Sequence, residues 1–274
     1  MRVFAITILV TSFLVLSCKK EGCTDEYAVN YDVNAKKENE RFCFYKKPEF
    51  KEYVPCFGPN TATLLAIDRG KEVTYNPYGK VTTWRYSLAS KFFNNNNDLV
   101  SAGDVSMSVY LQSQSSSNYS VVFTQLNKQS DNTYLKVHSN YPNMSPTYFP
   151  NPLEWRGAGD VWPAFNLFNS IGFSGASGIV SGHPNITSDY SFEVNPMMSA
   201  DSLVLEIIGQ RKHISKVISA NESSHVFRQE ELESVGRGDA YLRAVFIRYD
   251  VQTIGGQTYY LLNAKRVLKE VFIE

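Results

Sequence analysis

Residues 105–111 alternate without a break: Val105, Met107, Val109 and Leu111 are separated by Ser106, Ser108 and Tyr110. Successive side chains on a strand point to opposite faces, so this segment separates apolar from polar only when it is extended. It has no helical period and reads as a half-buried strand. Apolar runs at 63–67, 81–88, 121–126, 134–137, 203–208, 216–219, 241–251, 257–262 and 267–273 add further strand candidates. They are divided by turn signals, among them Asn76-Pro77-Tyr78-Gly79 and the two-residue hairpin signal Gly255-Gly256. One helical turn is expected at 227–232, where Gln229, Glu230, Glu231 and Leu232 carry no strand alternation. Short strands without intervening helices predict an all-β chain folded as a β-sandwich, immunoglobulin-like or a larger two-sheet form. The sandwich is expected over 48–274. Residues 141–196, dense in proline and glycine, read as loops, and two modules split near 141 are the alternative.

The chain opens differently. Arg2 is followed by an apolar run from Val3 to Leu16 and then by Ser17, Cys18, Lys19 and Lys20. That run is shorter than the roughly 20 residues a membrane-spanning helix needs. A cation followed by a short apolar run is the pattern of a secretory signal. The residues Val15-Leu16-Ser17-Cys18 resemble the lipobox of bacterial lipoproteins, with Leu16 bulkier than the usual residue at its place. The resemblance implies a signal peptide over 1–17, removed before Cys18, and a diacylglycerol on the Cys18 sulfur with an acyl chain on its amino group. It also implies that the partner of this end is a lipid bilayer. Several acyl chains on one residue hold firmly where one chain alone is marginal.

A second resemblance covers part of 18–47. Gly22-Cys23-Thr24-Asp25, the centre Ala28-Val29-Asn30-Tyr31, the later Ala35 and the closing Cys43-Phe44-Tyr45 are similar to a short cysteine-bounded module of exported Bacteroidetes-type proteins. Where the family carries an acidic Asp-Asp-Gly-Ser run, this chain has Asn39-Glu40-Arg41-Phe42. The resemblance implies a disulfide between Cys23 and Cys43. A segment this short buries too little to fold alone, and closing its loop contributes roughly 3 kcal/mol. A calcium loop built on Asp25, Asn30, Asp32 and Asn34 fails at its next ligand position, which is Lys36. Cys56 is left over, in a proline-bearing segment at 46–59 that reads as a linker or an entry strand.

The search for chemistry returns little. His138, His183, His213 and His225 show no ligand spacing, so no metal is expected. Gly172-Phe173-Ser174-Gly175 misses the nucleophile-elbow spacing by one residue. Arg237-Gly238-Asp239 spells an adhesive tripeptide but sits where a polar turn serves equally well. Asp201-Ser202-Leu203 resembles an O-glycosylation site of exported Bacteroidetes proteins. With 27 basic and 27 acidic residues the charge is balanced, and nothing points to nucleic acid. The one constellation with binding chemistry is Trp155 and Trp162 with Glu154, Arg156 and Asp160, because aromatic faces beside carboxylates and arginine suit a sugar. The first expectation for these aromatics is that they plug the end of the sandwich, as buried aromatics commonly do. Glu154 and Asp160 would serve a glycosidase only at a suitable separation.

The sequence therefore leads to an expectation of a non-enzymatic, cofactor-free envelope lipoprotein, tethered through Cys18 in the outer membrane. Its expected partner is a polysaccharide or an envelope protein. A carbohydrate-binding accessory lipoprotein is the second reading. A hydrolase with a spatially assembled site is the third.

Overall fold

The computed structural model describes residues 21–38, 43–49, 54–76, 79–112, 119–139, 152–172, 177–195, 197 and 199–274. Cys18, with the signal-like segment before it, lies outside the described residues, as do the Ser174 of the near-elbow and the split point at 141.

The strands in chain order are β1 (Glu21–Gly22), β2 (Lys37–Glu38), β3 (Thr61–Asn76), β4 (Gly79–Phe93), β5 (Val105–Gln112), β6 (Tyr119–Gln125), β7 (Asn127–Lys128), β8 (Tyr134–Ser139) and β9 (Leu153–Gly157). There follow β10 (Phe165–Asn169), β11 (Gly178–Ile179), β12 (Tyr190–Asn195), β13 (Ser202–Ile208), β14 (His213–Ser219), β15 (Ser224–Phe227), β16 (Gly238–Ile254) and β17 (Gln257–Ile273). One helix, α1 (Gln229–Val235), stands near the expected helical turn. Gly255 and Gly256 both have positive φ, as the two-residue hairpin between β16 and β17 requires. β17 is a single strand where the sequence suggested two, because it stays in register with β16 over its whole length.

One layer is an eight-stranded sheet in the order β14-β13-β16-β17-β3-β4-β8-β7. All its pairs are antiparallel except β17 with β3. That parallel pair joins strands from the first half of the chain to strands from the second. The four-stranded sheet β10-β9-β5-β6 and the three-stranded sheet β11-β12-β15 cover one face of it. Leu64, Leu88, Leu205, Phe246 and Leu261 of the large sheet share one buried cluster with Met107, Trp155, Leu167 and Phe192 of the covering sheets. The chain is thus an all-β sandwich. The segment at 141–196, expected to be loops, supplies β9 to β12. Its prolines and glycines bound short strands, and Tyr190, Phe192 and Val194 alternate inward on β12.

The outer face of the large sheet is covered by the segment expected to be a linker or an entry strand. Residues 43–49 and 54–60 form a strap running opposite to β17. Tyr45 sets its ring edge-on to Phe272, Lys47 Nζ lies 3.1 Å from Glu270, and Val54 packs with Leu65, Ile67, Ala89, Leu262 and Ala264. Farther on, Phe57 stacks on Tyr260 at 3.8 Å, and the Thr258 N–H donates to the Asn60 carbonyl. Beside this strap, Arg243 is buried against Glu206, and His213 Nε2 lies 2.8 Å from the same carboxylate. Burial alone pushes the Glu206 carboxyl up. Hydrogen bonds from His213 and Arg243 outweigh it and hold the group below its ordinary range.

The Cys23–Cys43 disulfide is present, and its module is docked onto the sandwich. Asp25, at one end of the module, accepts from the Tyr27 N–H and from the Tyr45 hydroxyl at the other end. Asn30 accepts from the Phe44 N–H, and Asp32 from the Asn34 N–H. These oxygens therefore hold the turns of the module. Its seat is the tripeptide Arg237-Gly238-Asp239. Arg237 lies 3.8 Å from Asp25, Gly238 lies under the Tyr45 ring, and Asp239 is paired with Phe272 in the ladder. Arg211 stands 3.9 Å over the Tyr27 ring. The tripeptide is thus a docking surface for the chain's own module.

Two outcomes are expected. Because the folded-state pKa of Glu206 is lowered, its contribution is complete at neutral pH and is lost as pH falls through the carboxylate range. Glu206→Gln leaves buried Arg243 without its counter-charge. It is expected to cost about 3–5 kcal/mol at pH 7 and to flatten the acid limb of stability against pH in urea titrations. A wild-type acid limb would contradict this. Gly238→Ala places a Cβ 2.5 Å from the Tyr45 ring at a φ of +120°. It should cost about 1–3 kcal/mol, part of which is recovered in a Tyr45→Ala background in a double-mutant cycle.

Candidate functional site

The two sheets meet closely on one side and part on the other. At the parted side the chain passes directly from β6, the edge of the four-stranded sheet, through Leu126 into β7, the edge of the eight-stranded sheet. The gap is an open cleft of about 1050 Å³. It is lined by β6 residues Phe123 to Gln125, by Lys128, Tyr134 and Lys136, and by two loops carrying Ser101, Gly103, Asp104, Gly159 and Asp160.

Those loops are fixed to each other. The N–H groups of Ala158, Gly159 and Trp162 donate to the carbonyls of Asp104, Ala102 and Ser101 at 2.9, 3.0 and 2.8 Å. Glycine is required where they touch. Gly103 has a φ of +69°, and a Cβ on it would lie 2.7 Å from the Gly159 carbonyl oxygen. The cleft wall is therefore set by backbone geometry before any ligand arrives.

Its floor is a hydrogen-bonded network around Tyr134. Lys128 Nζ donates to Ser101 Oγ at 2.7 Å, and the Gly103 N–H donates to the same oxygen at 3.3 Å. Ser101 Oγ also shares a hydrogen bond of 3.2 Å with the Tyr134 hydroxyl oxygen. That oxygen also accepts from the Ala102 N–H. Tyr134 is itself 1% exposed, so the network braces the floor from within. At the lip stands Phe123, 63% exposed although it lies in an edge strand. The charges of the lining balance, Asp104 and Asp160 against Lys128 and Lys136.

The residues expected to bind a sugar are separated by the fold. Trp155 and Trp162 are 0% and 2% exposed, so neither has a face to offer a ligand. Trp155 points inward from β9 between the inward-facing Leu153 and Gly157. Trp162 tilts against Phe92 and donates its Nε1–H to the Tyr259 hydroxyl. They plug the sandwich. Glu154 and Arg156 lie on the opposite, outer face of β9. Glu154 accepts from Tyr110 and from two nitrogens of Arg156, at 2.6, 2.9 and 2.6 Å. Burial works to raise its pKa, and hydrogen bonds from Tyr110, Arg156 and Asn166 outweigh that and lower it. It is a satisfied, ionised group. Asp160 alone of the expected set lines the cleft. Among the described residues, no group of three or more His, Cys, Asp or Glu is arranged to hold a metal.

The cleft residues Phe123, Lys128 and Lys136 were not singled out by the sequence. Residues 121–126 read Val-Val-Phe-Thr-Gln-Leu, where an outward phenylalanine looks like any other apolar strand residue.

No family model matches this chain, and no curated protein matches it. Among solved structures it is similar to a tetra-tandem repeat in the extending region of a large adhesion protein, at 9% identity and a TM-score of 0.25, over 78% of this chain and 49% of that one. It is also similar to a structure concerning host cell surface retention of a 1.5-MDa bacterial ice-binding adhesin, at 13% identity and a TM-score of 0.23, over 77% of this chain and 66% of that one. This chain thus spans less than two thirds of either. Neither superposition is close enough to carry an argument.

Because both tryptophans are core, their truncation is expected to act on stability. Trp155→Ala should lower the unfolding free energy by about 3–5 kcal/mol, read by denaturant titration. An unaltered denaturation midpoint would contradict its place in the core.

Proposed function

We propose that this chain is a non-enzymatic cell-envelope protein, held on a membrane through acylated Cys18, with the cleft at the parted edge of its sandwich as its ligand-binding side. The observation that carries the binding role is the cleft itself. Its walls are fixed by backbone hydrogen bonds, its lining carries Asp104, Asp160, Lys128 and Lys136, and its lip displays an aromatic ring. Preorganised polar groups beside an exposed ring suit recognition, since little ordering is needed on binding.

The anchor rests on Val15-Leu16-Ser17-Cys18 and gains a consequence from the fold. Only residues 19–22 separate Cys18 from Cys23, which belongs to a module seated on the sandwich. Extended chain reaches at most about 3.6 Å per residue. The domain would then stand close to the bilayer on its module end, and the strap would stiffen that end. An outer-membrane setting fits the proposal, with a polysaccharide or an envelope protein as the partner.

Cys18→Ala is expected to move the protein from the membrane fraction to the soluble fraction and to remove lipid label from it, without changing its thermal unfolding. Membrane retention equal to the wild type would refute the anchor.

A further inference from the structure

We propose that the cleft binds an uncharged saccharide chain. This rests on the cleft being the ligand side and names the class of ligand it takes. Two observations select that class. First, the lining carries acceptors and donors in equal measure. Asp104 and Asp160 accept, Lys128 and Lys136 donate, and the Gln125 and Asn127 amides do both. Vicinal hydroxyls also donate and accept, so they match such a lining. A phosphate or a polyanion calls for donors and a net positive field, which a balanced lining lacks.

Second, Phe123 is exposed at the lip on the outer side of β6, and Val121, two residues before it, is 54% exposed on the same side. A bare ring beside polar groups gives the apolar face of a sugar ring a platform. The volume of about 1050 Å³ is at the upper end for a small-ligand site, and the cleft is open, as a chain passing through requires. A peptide strand adding to the free edge of β6 is the competing occupant. It would bind through main-chain groups and depend little on Asp160 or Lys136.

The test uses the full-length protein in detergent micelles. Affinity electrophoresis is run through gels containing dextran, xylan, laminarin or galactomannan, with polygalacturonate as the anionic probe. At least one neutral polysaccharide should retard the wild type. Phe123→Ala and Asp160→Asn should each weaken that retardation tenfold or more. Tyr249→Ala, exposed on the large sheet away from the cleft, should leave it unchanged. Matching melting curves keep folding separate from binding. Cys18→Ala protein should be retarded like the wild type, so failure of the anchor and failure of the saccharide proposal are read apart. No retardation by any neutral polysaccharide would overturn the proposal. So would retardation by polygalacturonate alone, or retardation that survives both cleft substitutions.

Discussion

The structure depends on one parallel strand pairing. Thr258 to Lys265 of β17 lie beside Thr61 to Asp68 of β3, and each strand is otherwise bound to its own hairpin partner. Without that ladder the chain would hold two separate antiparallel sheets, each with a long free edge, and such edges invite pairing with other chains. With it, both edges are closed and a single core runs from Ala62 to Ile273. The pairing joins residues far apart in sequence, so loop closure makes it costly to form early and the hairpins have to lend it stability. The strap serves the same seam. It runs over β17 and packs Val54 against Leu65 and Leu262, one from each side of the parallel pair.

Three polar contacts at and beside the seam join residues distant in sequence. Asn263 lies at the seam and is fully buried. Its Oδ1 accepts from Asn169 Nδ2 of the covering sheet at 3.1 Å. Arg243 faces Glu206 on the neighbouring strand, and Trp162 reaches Tyr259 on β17. The Asn263–Asn169 and Trp162–Tyr259 contacts fix how one layer sits on the other, because an unpaired buried polar group is costly in any other register. The open cleft is the complement of this arrangement. Where the sheets part, polar groups remain in reach of solvent, and glycines 103 and 159 rather than packed side chains set the wall.

Much of the fold was legible because period and turn chemistry are local. Alternation over 105–111 placed β5, and Gly255-Gly256 placed the longest hairpin. The resemblance around Cys23 and Cys43 anticipated the disulfide. What was not legible depends on tertiary partners. Residues 46–59 look like a linker because their apolar side chains are few, and only the sheet beneath shows that Val54 and Phe57 have a surface to cover. Trp155 and Trp162 looked like a sugar platform because sequence shows residue type and not facing. Parity along β9 turns Trp155 inward and Glu154 outward. The cleft escaped notice for a related reason. Its members lie on β6, β7, β8 and two loops, and only Asp160 stood among residues whose composition suggested binding.

The central claim is that the chain is one cooperative sandwich joined at the β3–β17 ladder. Native-state hydrogen exchange measures it most directly, through the amides of residues 61–68 and 258–265 together with those of β5 and β13. The account predicts that the slowest amides of both halves share one opening free energy and one denaturant dependence, as a single unit does. Two separate sets, with the half before residue 140 opening independently of the half after 200, would contradict it.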